Sequence, residues 1–288
     1  MKKIVLTVLI FSLAFFMIAG CGKGGDDSGD DDSLLLLSEA PDEPEPADNT
    51  GADTGTGAET GTETGAWSNG SLTGPVVEAW TLGCSAILAT RYQEQYNYDP
   101  YVFGMFSNAS DAQAVLSDPW KCTNHDEVVD RVTYMTDHGH NELFAKDYGA
   151  LSNMSDEEYD NYLKENDDFM IPVIKLVGDK WGDKQIKAWD WFRMFHVTSW
   201  GYAAGYLELE EAYDMLLPLI ERLKSTFSSW DEANDNYMDG FAVHYRANII
   251  EPDGSDKMYN EYAARMKVLE ELKAYPPEKT LFDPSVWK

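Results

Sequence analysis

Four side chains near the middle of the sequence are of types that bind ligands or transfer protons. Asp190 and Arg193 are three residues apart, so on a helix they share a face and can pair. His140 and Asp231 can join them once the chain folds. A solvent-accessible set predicts an acid–base or ligand site, whereas a sealed, mutually paired set ties helices together, which is the commoner role.

The chain is rich in aromatic side chains, with 9 Trp and 16 Tyr, and several of them are close in sequence to these residues. They could line a groove for a carbohydrate or a peptide, but their helical spacing favours packing in the core. The candidate binding or structural polar cluster consists of His140, Asp190, Arg193, Trp200, Trp230, Asp231 and Tyr237.

Two patterns resemble metal sites, and both are rejected. His138 and His140 flank a glycine, where the end of a helix would point the two imidazoles apart, and no third ligand is near in sequence. Residues 235–240 resemble a calcium loop, but Tyr237 and Arg246 stand where ligands are needed. The sequence also contains no nucleophile elbow and no phosphate-binding or dinucleotide-binding glycine motif. We therefore expect no metal and no cofactor, and no catalytic residue is nominated.

Cys84 and Cys122 are the two cysteines of the folded part. In an exported protein they can form a disulfide, which would close a loop of about 40 residues and stabilise the fold. The alternative is two buried free thiols, and the sequence leaves both open.

Apolar residues recur with a period near 3.6 from Pro75 onward, which predicts a single all-α domain of about eight or nine helices over 75–288. Segment 169–177 is the one apolar run that resembles a strand, although Pro172 argues against a central one. The predicted helices cover 76–92, 110–118, 124–137, 140–148, 155–166, 183–203, 209–227, 230–245 and 256–275.

Residues with known preferences for helix ends mark several of these boundaries. Thr123 is the predicted N-cap of the third helix, and Gly139 the left-handed residue that stops it. Ser155 and Ser229 each precede a glutamate by three residues, which predicts a capping box at both positions.

The chain is strongly acidic, with 22 Lys and Arg against 51 Asp and Glu and a net charge of −29. Residues 22–74 hold 13 acids and one base, and residues 75–288 hold 38 acids and 19 bases. Since nucleic-acid affinity comes mainly from basic side chains at phosphates, DNA and RNA are excluded as expected partners.

The N-terminus predicts export. Lys2 and Lys3 precede the apolar segment 4–18, which is shorter than the ~20 residues of a membrane span. Residues 18–21 read Ile-Ala-Gly-Cys and resemble the bacterial lipobox, which implies lipid on Cys21. We therefore expect an exported lipoprotein anchored in the cell envelope, at the outer membrane if the host is Gram-negative.

Three segments follow from these observations. Residues 1–20 form the signal peptide, residues 21–74 the lipidated cysteine with an acidic disordered linker, and residues 75–288 the all-α globular domain. The linker is rich in Asp, Glu, Gly, Thr and Pro and cannot bury enough apolar surface to fold.

A set of motifs in the domain resembles the bacterial family catalogued as domain of unknown function 1266, over about 75–246. Cys122 departs from the pattern, since an aliphatic residue is expected there. The resemblance supports the helical fold and implies no activity or catalytic residue. The motifs are Ala188-Trp189-Asp190 with Arg193, the run 200–206, Glu210-Glu211-Ala212, the run 227–232 with Tyr237 and Gly240, and upstream Trp80, Leu82, Leu116, Trp120, Gly139-His140-Asn141 and Phe144.

The leading functional prediction is a non-enzymatic domain that binds a protein or another envelope component, displayed at a membrane through Cys21. A basic protein, such as a toxin neutralised by an acidic face, is one such partner. The alternative is a hydrolase-like or small-ligand-binding enzyme with a site around His140, Asp190, Arg193 and Asp231.

Overall fold

The computed structural model describes residues 74–276 and 279–287. The predicted signal peptide 1–20, the lipidation residue Cys21 and the linker up to residue 73 lie outside the described residues. Within the described ranges every regular element is helical, which confirms the all-α prediction. None of the described helices is long and apolar enough to cross a membrane.

The helices follow one another with short connections. A 3-10 turn, Gly182–Lys184, precedes the helix that begins at Lys187, and another, Pro284–Trp287, lies near the end of the described residues. The α-helices are α1 Gly74–Arg91, α2 Gln93–Tyr96, α3 Ala109–Ser117, α4 His125–Asp137, α5 His140–Ser152, α6 Asp156–Glu165, α7 Met170–Trp181, α8 Lys187–Ala203, α9 Leu209–Thr226, α10 Trp230–His244 and α11 Lys257–Lys273.

Helix α8 is the centre of the domain. It is buried on nearly all sides from Ala188 to Gly201, apart from the partly exposed Arg193, although it carries polar side chains such as Asp190 and His196. Helices α1, α3, α4, α5, α9 and α10 pack against it, while α11 packs on α1 and α10, and α7 on α5 and α10. Gly205, with φ of +75°, follows the end of α8, where the sequence predicts it.

The strand-like interpretation of segment 169–177 is wrong, because this segment forms most of α7. Pro172 lies in the first turn of the helix, where its missing N–H would have no helical acceptor. The apolar run therefore belongs to a helix whose inner face is buried, with Val173 and Val177 in the core.

Some of the predicted capping residues are found at the ends of the helices, and others are not. Ser155 forms the predicted capping box with Glu158. Ser229 accepts a hydrogen bond from the Glu232 amide, but the Glu232 carboxylate accepts from Ser228 instead of Ser229.

The N-cap of α4 is Asn124, not Thr123. The Asn124 side chain accepts a hydrogen bond from the Glu127 amide over 3.1 Å. The amide and hydroxyl of Thr123 instead donate to the Glu127 carboxylate, at 2.6 and 2.9 Å. The cap therefore lies one residue later than predicted.

Candidate functional site

Asp190, in the first turn of α8, caps the N-terminus of another helix. Its Oδ1 accepts from the His140 amide over 3.0 Å, and its Oδ2 accepts from the Asn141 amide over 2.7 Å. Both amides belong to the first turn of α5, where N–H groups have no acceptor within the helix and the helix dipole favours a negative charge. Asp190 is only 2% exposed, so these two amides provide the hydrogen bonds that its buried carboxylate needs.

Gly139 is required by this contact. A Cβ atom at position 139 would lie 2.2 Å from Asp190 Oδ2, well inside any real contact distance. The backbone of Gly139 is extended, with φ of −83°, so the predicted left-handed stop at this position is wrong. The glycine is needed for the close approach of a carboxylate and not for its own backbone conformation.

The start of α8 is held in turn by side chains from α5 and α10. Asn141 Oδ1 accepts from the Ile186 amide over 2.9 Å, and Asn236 Oδ1 accepts from the Ala188 amide over 2.9 Å. The N-cap of α8 has no side-chain cap of its own, so these amides are satisfied from neighbouring helices. Helices α5 and α8 thus cap each other, through Asp190 in one direction and Asn141 in the other.

Gln185 lies between the two asparagines. Its side-chain oxygen accepts from Asn141 Nδ2 over 2.8 Å, and its backbone carbonyl accepts from Asn236 Nδ2 over 2.6 Å. Gln185 and Asn236 are not among the site residues predicted from the sequence. A polar Asn inside the apolar face of α10 is the one signal that could have identified Asn236.

His140 contacts both Asp190 and Arg193 through one ring nitrogen. Arg193 Nη1 lies 2.8 Å from His140 Nδ1, and Asp190 Oδ1 lies 3.2 Å from the same atom. A guanidinium can only donate, so Nδ1 must carry a lone pair, and the proton of the neutral ring is on Nε2. The approach of Asp190 to Nδ1 is then not a hydrogen bond.

Three neighbouring effects set the pKa of His140. Burial lowers it below its ordinary value, the Asp190 carboxylate opposes this change, and the positive charge of Arg193 adds to it. The net direction is downward, which agrees with the neutral ring that the hydrogen bond from Arg193 requires.

His244, near the C-terminal end of α10, packs against His140. The ring centroids are 4.2 Å apart with the rings nearly perpendicular, and the Trp189 ring lies 5.2 Å from His244. Burial, with the neighbouring His140 and Arg193, lowers the pKa of His244 well below its ordinary value. Two neutral imidazoles therefore lie beside Arg193.

The predicted pair of Asp190 and Arg193 is not formed. Within the described part of the chain, no carboxylate lies within ion-pair distance of Arg193. Its guanidinium lies over the rings of Trp120 and Trp189, at 4.7 and 4.8 Å from their centroids. The two residues share a helix but Asp190 is directed at α5, so each has a different partner.

The structure brings together His140, Asp190 and Arg193, but not the rest of the predicted cluster. Tyr237 adjoins it through the Trp189 ring, at 5.3 Å. Trp200 packs on Phe106 and His196, and Trp230 packs on Trp80 and Trp287. Asp231 is 74% exposed and lies 3.5 Å from Lys273, so it takes no part in the cluster.

Both cysteines of the domain are free in the structure, and both are buried. Cys84 lies within α1, and its carbonyl is 3.2 Å from His196 Nε2. Cys122 Sγ lies 3.3 Å from the carbonyls of Trp120 and Glu127. Burial raises the pKa of both thiols, which keeps them protonated. Across residues 74–276 and 279–287, no group of three or more potential ligands is placed to hold a metal ion.

The geometry defines an all-helical domain in which a buried carboxylate and two neutral histidines accompany a partly exposed arginine on an aromatic support. The chain belongs to the family described as Protein of unknown function (DUF1266), which matches residues 115–279. The match begins within α3 and includes α11, so it starts and ends later than the 75–246 expected from the motifs. No curated protein and no solved structure gives a significant match.

The close approach at Gly139 predicts a position-specific effect within α5. Gly139→Ala should lower the free energy of unfolding by roughly 2–4 kcal/mol, since the new Cβ displaces Asp190 from two backbone amides. Gly149→Ala, inside α5 and with nothing within 4 Å of its Cβ, should raise it by up to about 1 kcal/mol. Urea denaturation measures both, and equal changes in the two variants would contradict the close-contact explanation.

The buried histidines predict that acid weakens the fold. Burial lowers the pKa of His196 to about 3, so below pH ~6.5 the unfolded chain binds a proton that the folded chain does not. The contribution of each such histidine to the free energy of unfolding is complete above pH ~6.5. It decreases as the pH drops, by up to about 1.4 kcal/mol per pH unit. Asp147, whose pKa burial raises to about 6, acts in the opposite direction between pH ~6 and ~4.

The comparison of His196→Gln with the wild type isolates this contribution. The loss of unfolding free energy between pH 6 and pH 5 should be about 1 kcal/mol smaller in the variant. His138→Gln, which replaces an exposed histidine, serves as the control for removing an imidazole from the chain. A wild-type slope in His196→Gln would show that His196 is not buried as a neutral ring.

Proposed function

We propose that this protein is an exported lipoprotein, held at a membrane through lipid on Cys21, whose helical domain binds a protein or another component of the cell envelope. The short basic start, the apolar segment 4–18 and the lipobox at 18–21 support export and lipidation. Two or more acyl chains provide stable attachment where a single chain does not. In a Gram-negative host the membrane would be the outer one.

The acidic linker supports display of the domain away from the membrane surface. With 13 acids and one base in residues 22–74, its like charges repel and extend the chain. A coil of ~50 residues has a root-mean-square span on the order of 40 Å. The domain can then reach partners at some distance from its anchor.

One observation favours binding over catalysis at the central cluster. Both oxygens of Asp190 accept backbone N–H groups, and His140 Nδ1 accepts from Arg193. Asp190 is 2% exposed, so a substrate does not reach its carboxylate, and the lone pair of His140 Nδ1 is occupied by Arg193. Asp231, which the enzyme alternative needs, lies at the surface with Lys273. A hydrolase-like site is therefore less well supported than a binding role.

The charge of the domain favours a basic protein as the partner. Residues 75–288 carry a net charge of −19, and acidic side chains occur on most of the exposed helices. Such a surface attracts a basic protein, speeds its association and repels nucleic acids. Binding of this kind weakens as salt screens the charges.

Lipidation is tested by metabolic labelling of the full chain in a bacterial host. The wild type should incorporate labelled palmitate and fractionate with membranes, whereas Cys21→Ala should lose the label and the membrane association. Cys122→Ala, which removes a buried thiol of the domain, is the control and should keep both. An unlabelled wild type, or label retained in Cys21→Ala, would contradict the proposal.

The same membranes test the binding role. A partner cross-linked to the wild-type domain at low salt should be basic, and its recovery should fall steeply as the salt concentration rises. Recovery independent of salt would contradict a charge-based partner while leaving lipidation unaffected.

A further inference from the structure

We propose that Arg193 is the anchor of a binding site for a small monocarboxylate ligand. This inference goes beyond the proposed membrane display and protein partner, because it concerns a separate site on the domain. It rests on the contacts of Arg193, on the absence of a direct ion pair with Arg193 among the described residues, and on the charge of the domain.

The Arg193 guanidinium is held in one orientation. It lies over the rings of Trp120 and Trp189, and Nη1 donates to His140 Nδ1 over 2.8 Å. Cation–π contacts use the plane of the guanidinium and leave its N–H edge available for hydrogen bonds. Within the described residues, the other N–H groups of Arg193 have no protein acceptor, and the side chain is partly exposed. A fixed, accessible N–H edge is what bidentate recognition of a carboxylate requires.

Among the described residues, no carboxylate forms an ion pair with Arg193, although the Asp190 carboxylate is near, since its Oδ1 lies 3.2 Å from the His140 Nδ1 that Arg193 contacts. Asp190, three residues earlier, is turned to the amides of α5. The contrast with other arginines is clear in a chain with 51 acidic residues. Among the described residues, four of the other five arginines have a carboxylate within 4 Å, namely Arg91, Arg222, Arg246 and Arg265, and Arg131 does not.

His140 orients Arg193 without neutralising it. A carboxylate at this position would cancel the charge, whereas the lone pair of a neutral imidazole fixes the direction of Nη1 and leaves the full positive charge. A partly desolvated cation that no carboxylate contacts directly is costly, and a bound anion would reduce that cost. The arrangement therefore favours an anionic ligand at the free edge of Arg193.

The surroundings favour a small monoanion with an apolar part. A domain of net charge −19 repels polyanions and doubly charged phosphates more strongly than a single carboxylate. The planar carboxylate matches the guanidinium fork, and the partly exposed indole of Trp120 can contact the organic part of the ligand. Small organic acids meet these requirements.

Benzoate is the first probe, and benzamide is its neutral counterpart of the same shape. Calorimetric titration of the full chain, purified in non-ionic detergent, should show saturable binding of benzoate with a Kd of about 1 mM or tighter. Acetate should bind more weakly, and benzamide and inorganic phosphate should give no saturable signal. Binding of benzamide equal to that of benzoate would overturn the carboxylate assignment.

Variants at Arg193 locate the site. Arg193→Gln should weaken benzoate binding at least 10-fold, and Arg193→Lys should weaken it too, because lysine retains the charge but loses the planar fork. Arg222→Gln, at an arginine that is ion-paired with Asp137, is the control and should bind as the wild type does. Unchanged affinity in folded Arg193→Gln would overturn the proposal.

Thermal unfolding of the wild type keeps the proposal testable if Arg193→Gln does not fold. Benzoate should raise the midpoint in a saturable manner, and benzamide at equal concentration should not. No stabilisation by benzoate at about ten times its expected Kd would overturn the proposal. Tighter binding of phosphate than of benzoate would overturn the choice of a carboxylate and leave the membrane and partner proposals unaffected.

Discussion

The contact of the Asp190 carboxylate with the first turn of α5 is the constraint on which the central part of the domain depends. A buried carboxylate needs hydrogen-bond donors, and the N-terminus of a helix needs acceptors, so each satisfies the other. The return contact from Asn141 to the start of α8 fixes both helices in register. Gly139 is the steric condition for this geometry, since any larger residue would occupy the position of the carboxylate.

This constraint also determines the chemistry of the neighbouring arginine. Because the Asp190 carboxylate is hydrogen-bonded to α5, the direct contacts of the Arg193 guanidinium are a neutral histidine and two indole rings. The same hydrogen bonds remove the most evident catalytic base from the cluster. What remains at the partly exposed edge is a cation held in a fixed orientation, which suits recognition of an anion better than proton transfer.

The sequence predicts the helices well because their apolar stripes and caps are local signals, as in the stripe of α9 and the cap at Ser155. The strand-like interpretation of segment 169–177 is wrong because a short buried helix and a strand have similar apolar runs. Only the position of the segment in the fold distinguishes the two. The residue types predict that His140, Asp190 and Arg193 share a polar cluster, as they do. They do not predict its geometry, because the role of Gly139 and the reciprocal caps depend on contacts between residues about 50 positions apart.

Hydrogen exchange at individual amides tests the reciprocal capping of α5 and α8 most directly. The amides of His140 and Asn141 should exchange slowly, as core amides do, because they are released from Asp190 only when α5 and α8 separate. The corresponding first-turn amides of α6, at Asp156 and Glu157, lie on exposed residues at a solvent-facing helix start and should exchange quickly. Exchange at His140 and Asn141 as fast as at Asp156 and Glu157 would contradict the account.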